Sequence, residues 1–290
     1  MKVKTKNKMF DSIILLISFL LVLVCIVPFL YVIAVSLSSN SAIISQKVTL
    51  YPIGFTLDTY KTVFSDNSMI YSLFYTIFLT AVFTVLSMVF TICAAYPLTK
   101  KRLKGRNFFL LLMIITMYFS GGLIPDYILV KNLHLLDTSL SLILPGLISV
   151  FNMIILKTFF NSLPSSLEES ASIDGCNDIG ILIKIILPLC TPVLATLSLF
   201  YAVGRWNGFM DALFYINKPT LYPIQLKLYQ IISISQSLDA QQAENLQGAG
   251  LAPEALKAAS VMFTTIPIIL VYPWIQKYFV SGVMIGAVKG

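Results

Sequence analysis

Residues 12–36 read SIILLISFLLVLVCIVPFLYVIAVS, twenty-five consecutive positions without a charge. A helix that crosses a bilayer needs about 20 apolar residues to span roughly 30 Å of hydrocarbon, and this stretch meets that length. Lys2, Lys4, Lys6 and Lys8 precede it, which gives the start of the chain the look of a secretory signal. Its apolar part is too long for one and no small-residue cleavage site ends it, so it reads as a retained first helix.

Five more segments pass the same test, at roughly 72–97, 108–130, 139–160, 189–213 and 259–279. Pro28, Gly121, Gly122, Pro145, Pro267 and Pro273 interrupt the six, which membrane helices tolerate when neighbours satisfy the freed carbonyls. Composition agrees: 57% of residues are hydrophobic, 11% are charged, and the mean hydropathy is +0.86. A soluble domain is nearer about half apolar and a quarter charged, so this surface could not face water. The expectation is an all-α membrane protein, one polytopic domain over 1–290 with six transmembrane helices.

The net charge of +7 does not point to nucleic acid, because no polar domain follows the basic start. Lys100, Lys101, Arg102, Lys104 and Arg106 crowd the short connection after the second segment. The connections after segments one and three hold only Lys47, Lys61 and Lys131. This asymmetry places both termini and the 98–107 loop on the cytoplasmic side of the cell membrane. Cys25, Cys93, Cys176 and Cys190 show no metal spacing and read as small buried apolar residues. The single histidine, His134, falls in a short outer loop and reads as solvated.

Three hydrophilic stretches break the apolar pattern. Residues 37–71 form an outer loop with a turn at Tyr51-Pro52-Ile53-Gly54. Residues 214–258 form a second, ending in a polar hairpin or scoop that holds Gln241, Gln242, Glu244, Asn245, Gln247, Gly248 and Gly250. Residues 161–188 form an inner loop that reads as two short helices with a bend. Ser165 or Ser166 can cap the first, with Glu168 or Glu169 completing a capping box. Gly175 supplies a free turn, Asn177 or Asp178 can cap the second helix, and Pro188 ends it. The product is a stiff elbow that is either a plain connector or an element passing force between a soluble partner and the spans.

Glu169-Ser170-Ala171, Asp174-Gly175-Cys176 and Ile186-Leu187-Pro188 together resemble the EAA loop of ABC importer permeases. That pattern is Glu-Ala-Ala, two residues, Asp-Gly-Ala, and a later Leu-Pro. Ser170 and Cys176 stand where it has alanines, and both are small enough to keep close packing. Trp206-Asn207-x-Phe209-x-x-Ala212-Leu213 looks like the Trp-Asn-x-Phe stretch of carbohydrate permeases. The end of the chain, from Gln276 to Gly290, is similar to the tails of maltose-type sugar permeases. It is nearest the branch that serves polysaccharide-derived oligosaccharides in Gram-positive bacteria.

The resemblance implies a type I importer architecture, with a second homologous permease, in this branch a heterodimer, completing the pathway. Two ATPase subunits would sit beneath, holding ATP and Mg, and an extracellular solute-binding lipoprotein would deliver an oligosaccharide. It implies that Glu168, Glu169, Ala171, Asp174, Gly175 and Pro188 form the ATPase-coupling element, and that 214–258 reaches toward the binding protein. The chain has no Gly-x-x-x-x-Gly-Lys-Ser/Thr loop, so it holds no ATP itself and is not an enzyme.

Polar groups within spans are costly and mark pathways or interfaces. Arg205, Asp211 and Asp126 are the notable charges, and Tyr118, Trp206 and Asn207 offer a sugar an apolar face and hydrogen bonds. The alternative is that Trp206 and Asn207 face the companion permease while Arg205 and Asp126 sit at the interface. A membrane protease would need a Ser/His pair or His-Glu-x-x-His, and one loop histidine does not supply it. Within the same class, an amino-acid or phosphate permease stays open, because the EAA loop is shared. A secondary transporter would want coupling carboxylates near the midplane, where only Asp211 approaches.

Overall fold

The computed structural model describes residues 8–242 and 252–287, and within them every regular element is helical. In chain order these are α1 (Lys8–Ser36), α2 (Asn40–Ile44), α3 (Asp58–Ser65), α4 (Asn67–Ala95) and α5 (Arg106–Tyr118). Then come α6 (Leu123–Asn132), α7 (Leu140–Ile143), α8 (Val150–Ser162), α9 (Ser165–Ile173) and α10 (Asp178–Ile181). A π turn at Leu182–Ile186 leads into α11 (Leu187–Leu189), followed by α12 (Thr191–Asn207), α13 (Met210–Tyr215), α14 (Ile224–Gln242) and α15 (Pro253–Ala287).

Among the described residues, three helices can cross a membrane alone: Ser12–Ser36, Asn67–Thr99 and Pro253–Val271. Three pairs pass only together, each bent at a short break, which gives up to six crossings. Arg106–Tyr118 meets Leu123–Asn132 at 114°, Leu140–Gly146 meets Val150–Ser162 at 49°, and Asp178–Leu189 meets Thr191–Asn207 at 84°. The first break falls on Gly121 and Gly122, and Gly122 takes φ +88°, a conformation other residues rarely adopt. The second falls after Pro145, where the Ser149 side chain accepts from Asn152 N–H to start α8. Pro192 in the first turn of α12 sits where its missing N–H costs nothing.

Segment five therefore ends at Asn207 and breaks at Gly208, so Asp211 belongs to the short α13 and not to the span. The stretch 214–258, expected as an outer loop, contains α14 and the start of α15. Glu244, Asn245, Gln247, Gly248 and Gly250 of the expected scoop lie outside the described residues, as do Lys2, Lys4 and Lys6.

The chain divides into two compact units. One comprises Met1–Ile70 and Leu228–Ile266, with a small core of Ala34, Val35, Ala42, Ile43, Val48, Ala255 and Ala258. Its 51–54 turn forms as expected, with Gly54 at φ +67°. A Cβ there would lie 2.6 Å from Ser39 Oγ, and the close approach lets Ser39 N–H reach Ile53 O at 3.0 Å. Over residues 12–31 of α1 the apolar side chains are exposed, Leu15 and Val24 among them, which suits a face turned to lipid.

The other unit comprises Tyr71–Lys227 and Pro267–Gly290. Its core includes Leu79, Met153, Leu156, Ile186, Leu197 and Leu226, each almost wholly buried. Buried hydroxyls there are used to tie elements. Thr76 Oγ1 accepts from Ile224 N–H at 2.8 Å, and Thr91 Oγ1 meets the Tyr201 hydroxyl at 2.7 Å. The candidate site lies entirely in this unit.

Candidate functional site

The inner loop forms the expected elbow. α9 starts after Leu163-Pro164, with Pro164 at the N-cap, so no serine side chain caps it. Ser165 and Ser166 fall inside the first turn and the capping box does not form, because the proline has taken the position from which a hydroxyl would reach back. The C-terminal end is a full Schellman closure: Cys176 N–H reaches Ala171 O at 2.9 Å and Gly175 N–H reaches Ser172 O at 3.1 Å. Gly175 holds φ +82° to make it, the conformation glycine adopts most easily. Asn177, of the two candidates, caps the second helix, its Oδ1 accepting from Gly180 N–H at 2.8 Å. Pro188 does not stop that helix, which runs on to Leu189 before the bend at Cys190.

Two faces result. Ala171, Ile181 and Ile186 are buried in the core of this unit. Glu169, Asp174, Gly175 and Pro188 are exposed, together with apolar Leu167, Ile179 and Ile173, the last 86% exposed. Ile173, Ile179 and Leu167 thus leave apolar surface exposed on the outward side of the elbow.

Two more charges of the elbow, Glu168 and Asp178, are held by the segment after α4. Lys100 Nζ donates to Glu168 Oε2 at 2.5 Å and lies 4.2 Å over the Tyr96 ring. Burial pulls the Lys100 pKa down, but the hydrogen bonds to Glu168 and Tyr96 outweigh it and leave it raised. Arg102 pairs with Asp178, and the Tyr96 hydroxyl donates to Asp178 O at 3.3 Å. Lys100, Arg102 and Tyr96 were legible only as a basic loop and a span end. The available signal was opposite charge, since the basic 100–106 run and the acidic elbow were both expected on the same side.

A second polar centre lies where α12 ends. Arg205 is buried, 6% exposed at the side chain, and pairs with Asp211, 31% exposed. Its Nη1 donates to Leu142 O at 2.9 Å, and its Nη2 donates to Gly208 O at 3.1 Å and Asp211 Oδ1 at 3.0 Å. A Cβ on Gly208 would sit 3.0 Å from Nη2, so the glycine is what lets the guanidinium fold back over the break. This staple borders a cleft of about 1040 Å³ that Ser149, Asn152, Asn207, Phe151, Phe200 and Phe209 also line.

The structure brings Arg205, Asn207 and Asp211 together at the cleft and leaves the other expected pathway residues elsewhere. Trp206, one step round α12, faces a separate groove with Thr80, Thr84 and Pro267. Tyr118 is exposed at the end of α5, and Asp126 is exposed in the first turn of α6; neither lines the cleft.

A family model described as the binding-protein-dependent transport system inner membrane component matches residues 72–285. The polygalacturonan/rhamnogalacturonan transport system permease protein YtcP of Bacillus subtilis (strain 168) is 45% identical over 285 residues, 98% of this chain and all of that one. Protein LplC of the same organism is 47% identical over 267 residues, covering 92% of this chain and 90% of its own. Among solved structures, a chain of a bacterial ABC transporter involved in the import of the acidic polysaccharide alginate superposes with TM-score 0.86 at 30% identity. That match covers 96% of this chain and 99% of the other.

Proposed function

The chain belongs to the family of binding-protein-dependent transport system inner membrane components, and from that premise we propose that it imports oligosaccharides as one permease of an ATP-driven transporter. It is a multi-pass membrane subunit and forms half of the translocation pathway, a second homologous permease supplying the rest. Two ATPase subunits, with ATP and Mg, drive it from the cytoplasmic side, where both termini and the 98–107 loop lie. A solute-binding lipoprotein delivers the sugar outside.

The observation that carries the reading is the elbow, whose inner face is locked into the core while Glu169, Asp174 and Ile173 stand outward. Such an element passes a push from a soluble partner into α8 and α12, its covalent neighbours. The cleft supports the sugar assignment. Phe151, Phe200 and Phe209 offer apolar surface for ring faces, and Asn152 and Asn207 offer amides for hydroxyls. The names of the pectic and alginate relatives favour an oligosaccharide, acidic in character, over an amino acid or phosphate.

The test begins with gentle solubilisation of the chain from its native membrane and mass spectrometry of what remains bound. An ATPase, a second permease and a binding lipoprotein are expected. The recovered complex, reconstituted, is expected to take up galacturonate oligosaccharides in an ATP-dependent way. Recovery of the chain alone, with uptake that ignores ATP, would overturn the reading.

A further inference from the structure

The elbow is joined by the backbone to α8 and α12, yet its two ion pairs lead to a third place. Glu168 sits on the first elbow helix and Asp178 on the second, and both partners come from the short segment after α4, 68 and 76 residues away in sequence. Lys100 and Arg102 share the turn closed by Leu103 N–H to Lys100 O at 3.2 Å, and up to Lys100 the segment is a stiff extension of α4. Tyr96 N–H bonds Ile92 O at 3.0 Å, Thr99 N–H bonds Tyr96 O at 3.0 Å, and Lys100 N–H bonds Pro97 O at 3.1 Å. Ala95, Tyr96 and Leu98 are buried in the same core as Ala171 and Ile181 of the elbow. Tyr96 also meets Phe160 of α8 edge-on, with ring centroids 6.0 Å apart.

The chemistry suits a linkage better than a stabiliser. The Arg102–Asp178 pair is 70% and 50% exposed, and exposed pairs contribute little to folding. Together with the Lys100–Glu168 pair, 17% and 34% exposed, it grips both arms of one elbow and fixes its orientation relative to α4. A hinge held at one arm only would let the other arm swing.

The geometry points to Lys100 and Arg102 as positioning residues that carry movement of the elbow into α4, beyond the helices the elbow is covalently joined to. This rests on the coupling role proposed above for the elbow.

The measurement is the ratio of ATP hydrolysed to oligosaccharide imported, in the complete reconstituted transporter. Lys100→Glu and Arg102→Glu are expected to raise it roughly tenfold while ATP hydrolysis persists. The swapped pair, Lys100→Glu with Glu168→Lys, is expected to bring it back toward the wild-type value, which a loss of bulk stability would not do. Should the reversals fail to assemble, Lys100→Ala with Arg102→Ala decides, since it removes both pairs without adding a like-charge contact. A raised ratio there supports the inference and an unchanged ratio overturns it. Gly175→Val, measured alongside, separates the two readings. If it raises the ratio while the double alanine variant does not, this inference falls and the coupling role stands; if neither does, both fall.

Discussion

Two charged centres among the described residues are built on opposite plans. At the elbow, Lys100 and Arg102 meet Glu168 and Asp178 across long sequence separations, partly or largely in solvent. At the end of α12, Arg205 and Asp211 are six residues apart, and the guanidinium is buried with two carbonyls also bound to it. Water screens the Arg102–Asp178 pair most, so its worth lies in orientation. At the second centre Arg205 is buried and Asp211 only partly exposed, so removing Asp211 strands the guanidinium. Position and stability are thus assigned to different ion pairs in one unit.

Arg205→Met should break the comparison hardest. It leaves the Asp211 carboxylate and the Leu142 and Gly208 carbonyls without this donor, at a cost of about 2–3 kcal/mol. Thermal unfolding of the detergent-solubilised complex should show it as a lowered Tm, and an unchanged Tm would mean the staple is not structural. Gly175→Val comes next. No atom lies within 4 Å of the site, so the cost of about 1–2 kcal/mol is the left-handed backbone alone. Gly175→Ala should cost less than the β-branched valine, and equal effects would contradict an origin in the left-handed backbone.

Asn177→Ala removes the cap on the second elbow helix and should cost about 1 kcal/mol, with uptake falling more than Tm. The smallest effect is one of pH. The Lys100 pKa is raised in the folded state, so its contact contributes fully below the ordinary value of 10.5 and is lost as pH rises through the raised one. Coupling should therefore be insensitive to Lys100 titration from about pH 6 to 9. A change in the ATP-to-uptake ratio across that window in wild type, absent from Lys100→Arg, would contradict it.

Local physics wrote much of this in the sequence. Uninterrupted apolar runs marked α1 and α4, since twenty uncharged residues have few other uses. Gly175 and Asn177 were readable because a left-handed turn and an N-cap each favour a short menu of residues. The serine cap on α9 was misread for a related reason: Pro164 and Ser165 are both good helix starters, and only the path of the chain chose between them. Arg205 and Asp211 were noticed as costly charges but not as partners. Their pairing needs the break at Gly208, and a helix continued through it would have carried them to different faces.

The sequence alone determined that this chain lives in a membrane, where its apolar segments lie, and that a two-helix elbow interrupts them, because each rests on neighbours within a few turns. Only the tertiary structure decided which charges meet and which face each aromatic turns to. It set Trp206 and Asn207 on different grooves and gave the elbow its grip on α4. The grip on α4 and the seat of Arg205 against Leu142 depend on contacts between residues 60 and more positions apart, and no local preference specifies them.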